Sequence, residues 1–201
     1  MHWTEALGRP MPKKFGGHPA LELCNTRAGW GQAMHPEFEW IPSYDRLAIW
    51  AWYQGLISEH QRKDLREYAG NHPAQAGTVL TQFRDLRTAL YSVLTNADNR
   101  NEFDTVAELA QKASQQMRLI RLDDGTAQWR LPRTATTDLP VLAAAAAAAE
   151  ILCSALRSKV SSCPGSDCGW LFINARGRRR WCSMASCGNR SKARAYAKRQ
   201  S

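Results

Sequence analysis

No apolar stretch in this 201-residue chain is long enough to cross a bilayer. The longest, Val141 to Ala149, is less than half of the roughly 20 residues a spanning helix needs, and it is mostly alanine. Nothing in the first residues resembles a secretory leader, since Met1-His-Trp-Thr-Glu runs on into Gly, Pro and Lys with no apolar core. The expected compartment is the reducing cytoplasm, where cysteines stay as thiols or bind metal. There is no nucleophile-base motif, no phosphate loop and no carboxylate pair at metal-binding spacing, so an enzyme is the least favoured class. Acids are scarce in one region only. From Arg157 to Ser201 eleven Lys/Arg meet a single acid, Asp167, a net of +10, while residues 1 to 156 hold sixteen bases and seventeen acids, a net of −1, which together make the +9 of the whole chain. Histidine is absent from that region too, because His2, His18, His35, His60 and His72 all lie in the first half.

What the basic region does have is cysteine. Four of the six cysteines form two pairs of equal spacing, Cys163-Pro-Gly-Ser-Asp-Cys168 and Cys182-Ser-Met-Ala-Ser-Cys187. Two such pairs joined by a short turning segment suit one tetrahedral ion with four thiolates, so Cys163, Cys168, Cys182 and Cys187 are the candidate ligands of a single structural Zn2+. Two disulfides are the alternative, and the expected cytoplasmic setting disfavours them. No histidine has the spacing to join this site. A segment of about 45 residues buries too little apolar surface to fold comfortably alone, so the metal supplies most of its stability. Between the pairs, Trp170 to Asn174 and Arg178 to Trp181 flank Ala175-Arg-Gly177, which reads as a hairpin with glycine at the position needing positive φ. Cys24 and Cys153 read as buried small residues.

Trp181-Cys-Ser-Met184 followed by Cys187-Gly-Asn-Arg190 resembles the CGNR zinc finger, and Cys163, Cys168, Leu171-Phe172 and the basic tail fit that finger. His18-Pro-Ala-Leu-Glu-Leu-Cys-Asn-Thr26 is similar to the opening motif of the ABATE domain, which usually precedes this finger in a family of stress-induced transcription regulators. Asn174 stands where the family's hairpin commonly carries aspartate. The resemblance implies a mainly helical ABATE-like domain over residues 1–156, sensing a ligand or serving assembly, and a CGNR-type finger over 157–201.

The fold class expected is mainly α with small β hairpins: a helical N-terminal domain, then a zinc hairpin followed by a basic helix, treble-clef-like. Prolines and glycines interrupt residues 1–42, where only Ala20 to Cys24 suggests a short strand or one buried turn that docks on the helices after it. Ser43 and Ser58 are N-cap candidates for helices beginning at Tyr44 and just after Ser58. Helices over about 74–95 and 102–117 follow from apolar periodicity. Asp124-Gly125 between Leu119–Leu122 and Ala127–Leu131 signals a hairpin. A long helix is expected over about 139–159, where seven consecutive alanines suit close helix packing or are a bias of composition.

Two constellations bear on partners. Arg176, Arg178, Arg179 and Arg180 on the hairpin, with Arg190, Lys192, Arg194, Lys198 and Arg199 on the last helix, form a candidate nucleic-acid surface, most simply for double-stranded DNA, and the metal would preorganise it. RNA is an alternative, with Trp170, Trp181 and Tyr196 as stacking groups, and a protein-interaction finger is another. Trp30, Trp40, Trp50 and Trp52 crowd near His18 and Asn25 and are candidates for a small-molecule pocket, with ordinary core aromatics as the competing reading. A homodimer built on the N-terminal domain competes with the sensing role.

Overall fold

The computed structural model describes residues 2–96, 99–132, 134 and 136–200. Two compact units divide the chain: Ser43–Glu150 forms one, and Met1–Pro42 together with Ile151–Ser201 forms the other. These spatial units do not follow the boundary expected at 156/157, because the first 42 residues group with the cysteine-rich segment.

The central unit is helical. Helix α2 (Tyr44–Tyr53) starts where Ser43 Oγ accepts from the Arg46 amide at 3.3 Å. Helix α3 (Glu59–Asn71) opens on a reciprocal capping box between Ser58 and Gln61, which satisfies two otherwise orphaned amides. Helices α4 (Pro73–Thr95) and α5 (Arg100–Gln116) follow, then the antiparallel hairpin β3 (Arg118–Arg121) and β4 (Ala127–Arg130), turned by Gly125. The stripe of α4 formed by Val79, Phe83, Leu86, Leu90 and Val93 is buried, and Phe83 meets the fully buried Trp50 with ring centroids 5.0 Å apart. Helix α6 (Leu139–Leu152) buries five of its seven alanines, as close packing requires. It stops short of the expected Lys159, because Ser154 turns both its amide and its hydroxyl onto the Ile151 carbonyl and the chain passes into a 3-10 turn, Ala155–Lys159.

The other unit brings the two ends of the chain together. Its first element is a hairpin that the prolines concealed: β1 (Trp3–Ala6) pairs antiparallel with β2 (Arg9–Pro12) through the tight turn Leu7-Gly8, both at positive φ. A two-stranded ribbon has two free edges, so Pro10 and Pro12 cost no essential ladder bond. Ala20 to Cys24 lies within a helix, α1 (Pro19–Cys24), with Pro19 at its start and His18 Nδ1 accepting from the Ala20 amide. It packs on the finger strand β6 (Leu171–Ile173). Strand β6 pairs with β5 (Val160–Ser162), so the expected pairing of Trp170–Asn174 with Arg178–Trp181 is not formed. The turn is there, with Gly177 at φ +68 and its amide on the Asn174 carbonyl. A side chain closes the loop in place of a ladder: Asn174 donates to the Arg179 carbonyl at 2.9 Å and accepts from the Arg179 amide at 3.0 Å. An aspartate could only accept, so asparagine makes both bonds here. A five-residue π turn, Met184–Gly188, then leads into the basic helix α7 (Asn189–Gln200).

Candidate metal centre and basic surface

The four paired cysteines meet in the interior of the terminal unit, each no more than 3% exposed, in a cluster with Trp170 and Phe172, flanked by Phe15, Trp40 and Trp181. Short backbone bonds shape both loops: the Cys163 amide donates to the Trp170 carbonyl at 2.8 Å and the Cys168 amide to Gly165 at 3.0 Å. Gly165 suits the close approach, because a Cβ there would stand 3.2 Å from Cys187 Sγ and 3.2 Å from Cys168 Cβ, tight enough that the neighbours would have to give way by a few tenths of an ångström.

Cys168 Sγ and Cys182 Sγ are 3.6 Å apart, as are Cys182 and Cys187. Four sulfurs about 2.3 Å from one zinc ion stand about 3.8 Å from each other in a tetrahedron, whereas a disulfide needs about 2.05 Å. The sulfurs are spaced for an ion and all six cysteines are free thiols. Thiols this close also fail to ionise together. Hydrogen bonds from Cys168 and Cys182 hold the Cys163 thiol down at about 6, and those from Cys163, Cys168 and Cys182 hold Cys187 far below the usual range. Cys168 and Cys182 are pushed far above it, in each case first by the hydrogen bond from Cys163. A dication removes this conflict, since it lets every coordinating thiol stay ionised. The donor set therefore fits a structural Zn2+.

One neighbour was not expected. His2 Nε2 lies 3.4 Å from Cys182 Sγ and 3.3 Å from Cys187 Sγ. His2, Cys168, Cys182 and Cys187 place their donor atoms within 4.8 Å of one another, while Cys163 interacts with the other three thiols. The expectation that no histidine reaches the site is corrected: spacing along the chain excluded it, and the β1–β2 hairpin brings it back. Among residues 1–42, nothing in the sequence pattern marks that return.

The finger rests on the N-terminal segment through a set of buried bonds. Asn25, 0% exposed, donates from Nδ2 to the Leu171 carbonyl at 2.9 Å and accepts the Leu171 amide on Oδ1 at 2.7 Å. It behaves as a strand partner for β6 made from one side chain. The Ile173 amide donates to the Gly16 carbonyl at 2.9 Å, and Trp170 Nε1 to the Arg27 carbonyl at 2.9 Å. Glu22, also buried, accepts the Gly16 amide at 2.7 Å and the Gly17 amide at 3.2 Å, and burial raises its carboxyl to about 7.

Residues 17–155 match a family described as "Putative stress-induced transcription regulator", ABATE, and residues 159–200 match the CGNR zinc finger. The chain belongs to the ABATE family. No curated protein matches it. Both matched families are of regulator and zinc-finger type, not enzymes. Among the described residues no helix is long and apolar enough to cross a membrane.

In this ABATE protein the nine basic candidates separate by what they already hold. Arg179 turns inward: its guanidinium stacks 4.2 Å from the Phe172 ring, donates to the Trp181 carbonyl at 3.1 Å and the Phe15 carbonyl at 2.8 Å, and also reaches the Cys182 carbonyl. Arg190 donates to Cys187 Sγ at 3.2 Å. Arg194 bonds Ser166 and pairs with Asp167, the one acid of the basic segment, at 2.9 Å. All of the nine except Arg179 are exposed, and the Arg180 guanidinium stands 5.2 Å from the Trp181 ring. Of the three stacking candidates, Trp170 is buried in the finger core and Tyr196 is 59% exposed.

The pocket candidates do not share a unit, since His18, Asn25, Trp30 and Trp40 belong to the terminal one and Trp50 and Trp52 to the central one. His18 caps α1, Asn25 holds β6, Trp30 Nε1 donates to the Cys24 carbonyl at 3.1 Å, and Trp40 packs against the cysteine cluster. These are framework roles. A cleft of about 190 Å³ lies beside the metal centre, between Pro164–Ser166 and Trp181, Arg190 and Arg194.

Proposed function

We propose that this ABATE protein is a cytoplasmic transcription regulator that binds double-stranded DNA through its finger, with one structural zinc held by Cys163, Cys168, Cys182 and Cys187. With four thiolates the ion has no open position, so its work is to hold the finger together. Along the sequence, residues 157–201 form the binding part and residues 1–156 the sensing or assembly part. The ligand or self-association of that part sets when the finger engages DNA.

The observation that carries the reading is the segregation of charge. Arg176, Arg178 and Arg180 project from the loop after β6, and Lys192, Lys198 and Arg199 from α7, in a segment whose single acid is paired with Arg194. Exposed cations on a metal-braced frame release counterions from phosphates without first having to be ordered. The buried Trp170 takes away one of the three aromatic platforms that single-stranded RNA would use, which favours the duplex.

The test is affinity of the zinc-loaded chain for random duplex DNA across salt concentrations. Neutralising Z phosphates gives a log-log slope near −0.9Z, and replacing Arg178 and Arg180 by Ala flattens it by up to about 2 units. Absence of salt-dependent binding at about 50 mM salt and micromolar protein refutes the reading.

A further inference from the structure

The donor atoms of His2, Cys168, Cys182 and Cys187 lie within 4.8 Å of one another and Cys163 hydrogen-bonds the other three thiols, one donor more than a tetrahedral ion takes. His2 is the fifth, and it lies outside both matched segments, 17–155 and 159–200. Its position is built. The His2 carbonyl accepts the Lys13 amide at 2.8 Å, one step beyond the β1–β2 ladder. The imidazole stands edge-on to Trp170, with centroids 4.8 Å apart and planes at 76°, and Phe15 lies 6.1 Å away at 75°. Trp170 is itself pinned through Nε1 to the Arg27 carbonyl. The ring thus aims Nε2 between Cys182 and Cys187 at distances of a hydrogen bond to sulfur.

Four thiolates around Zn2+ carry two negative charges in excess, and they lie in a cluster that excludes most water. Donors to the sulfurs offset that charge and hold each ligand in orientation. Arg190 supplies one to Cys187. We propose that His2 is an outer donor of the zinc centre, sharing its Nε2–H between the Cys182 and Cys187 sulfurs, and that it retains the metal by slowing departure of the second cysteine pair. The proposal rests on the four-cysteine ligand set. It makes the first strand hairpin a clasp on the finger, joined to it at its most charged point.

The experiment uses the full chain with its own first residues, any purification tag being placed at the C-terminus, and compares wild type with His2→Phe, His2→Ala and His2→Gln at one fixed pH. His2→Phe keeps a ring against Trp170 and removes the donor, while His2→Gln restores an N–H. Zinc transfer to an excess of a coloured chelator is expected to be about 10-fold faster or more in His2→Phe and His2→Ala, in the range that loss of an outer-sphere partner costs, with His2→Gln nearer wild type. The cobalt-substituted protein separates this from the ligand assignment: four-sulfur absorption is expected in wild type and unchanged in His2→Phe. Equal transfer rates in wild type and His2→Phe overturn the proposal while leaving the four-cysteine set intact. A wild-type spectrum of three sulfurs and one nitrogen that becomes four-sulfur in His2→Phe overturns both, and makes His2 a ligand. Should His2→Phe fail to hold metal at all, His2→Gln decides: rates equal to His2→Ala refute the donor role.

Discussion

Replacing Asn25 by Ala isolates the bond between the ABATE opening motif and the finger. The side chain is 0% exposed and satisfies both backbone groups of Leu171, at 2.7 and 2.9 Å. The position is fully buried, so alanine leaves a buried amide and a buried carbonyl without their side-chain partner. Each orphaned group costs about 1–3 kcal/mol, and the pair about 2–6 kcal/mol. Against a total stability of roughly 5–15 kcal/mol that is a large share. Because the chain has two units, a single unfolding temperature is a blunt readout, and amide exchange at Leu171 is the direct one. Every 1.4 kcal/mol is tenfold, so exchange at Leu171 should accelerate by roughly one and a half to four powers of ten. Asn25→Asp should do no better than alanine: it keeps an acceptor for the amide but turns a second acceptor on the Leu171 carbonyl. Thr26→Val serves as the control. Thr26 is equally buried, and its hydroxyl donates to the Leu23 carbonyl within α1 at 2.7 Å, so about 1 kcal/mol is expected with protection at Leu171 largely kept. Exchange at Leu171 in Asn25→Ala within threefold of wild type would refute the reasoning.

Two further expectations concern the same interface. The carboxyl of Glu22 is raised by burial from 4.5 to about 7, so the folded chain binds its proton more tightly than the unfolded chain does; the stabilisation this brings is complete below about pH 4.5 and is lost as pH rises through 7. The stability of Glu22→Gln relative to wild type should therefore climb by about 3 kcal/mol between pH 4.5 and 8, and a difference flat in pH by denaturant titration contradicts the assignment. Arg179→Ala should lower stability, through three lost carbonyl contacts and the bared Phe172 face, while leaving the salt slope of DNA binding unchanged; a slope reduced by about one unit would return Arg179 to the phosphate-contacting set.

Local signals in the sequence carried well into the fold. Ser43 and Ser58 cap their helices as their side chains allow, Asp124-Gly125 turns the β3–β4 hairpin, and Gly177 takes the positive φ expected of it. Each depends on residues within about four positions, where backbone sterics and one side-chain bond decide the outcome. The four thiols were equally legible, since pairing at matched spacing constrains where the sulfurs can go before any tertiary contact is known.

Contacts across most of the chain's length were not legible. His2 reaches Cys187 over 185 positions, Asn25 reaches Leu171 over 146 and Arg179 reaches Phe15 over 164. Nothing in composition tells an arginine that will face water from one that will fill a ring face and three carbonyls, so Arg178, Arg179 and Arg180 read alike until the loop closed by Asn174 turns the middle one inward. The finger's partner was misassigned for the same reason: Leu171–Ile173 needs one ladder neighbour, and the choice between Val160–Ser162 and the downstream arginines depends on which pairing lets α1 cover the other side. The sequence by itself determined the metal, the segregation of charge and the helical character of residues 43–150. Only the tertiary structure decided that the finger is completed by the first 42 residues, because a segment so small must borrow apolar cover and hydrogen-bond partners from elsewhere in the chain.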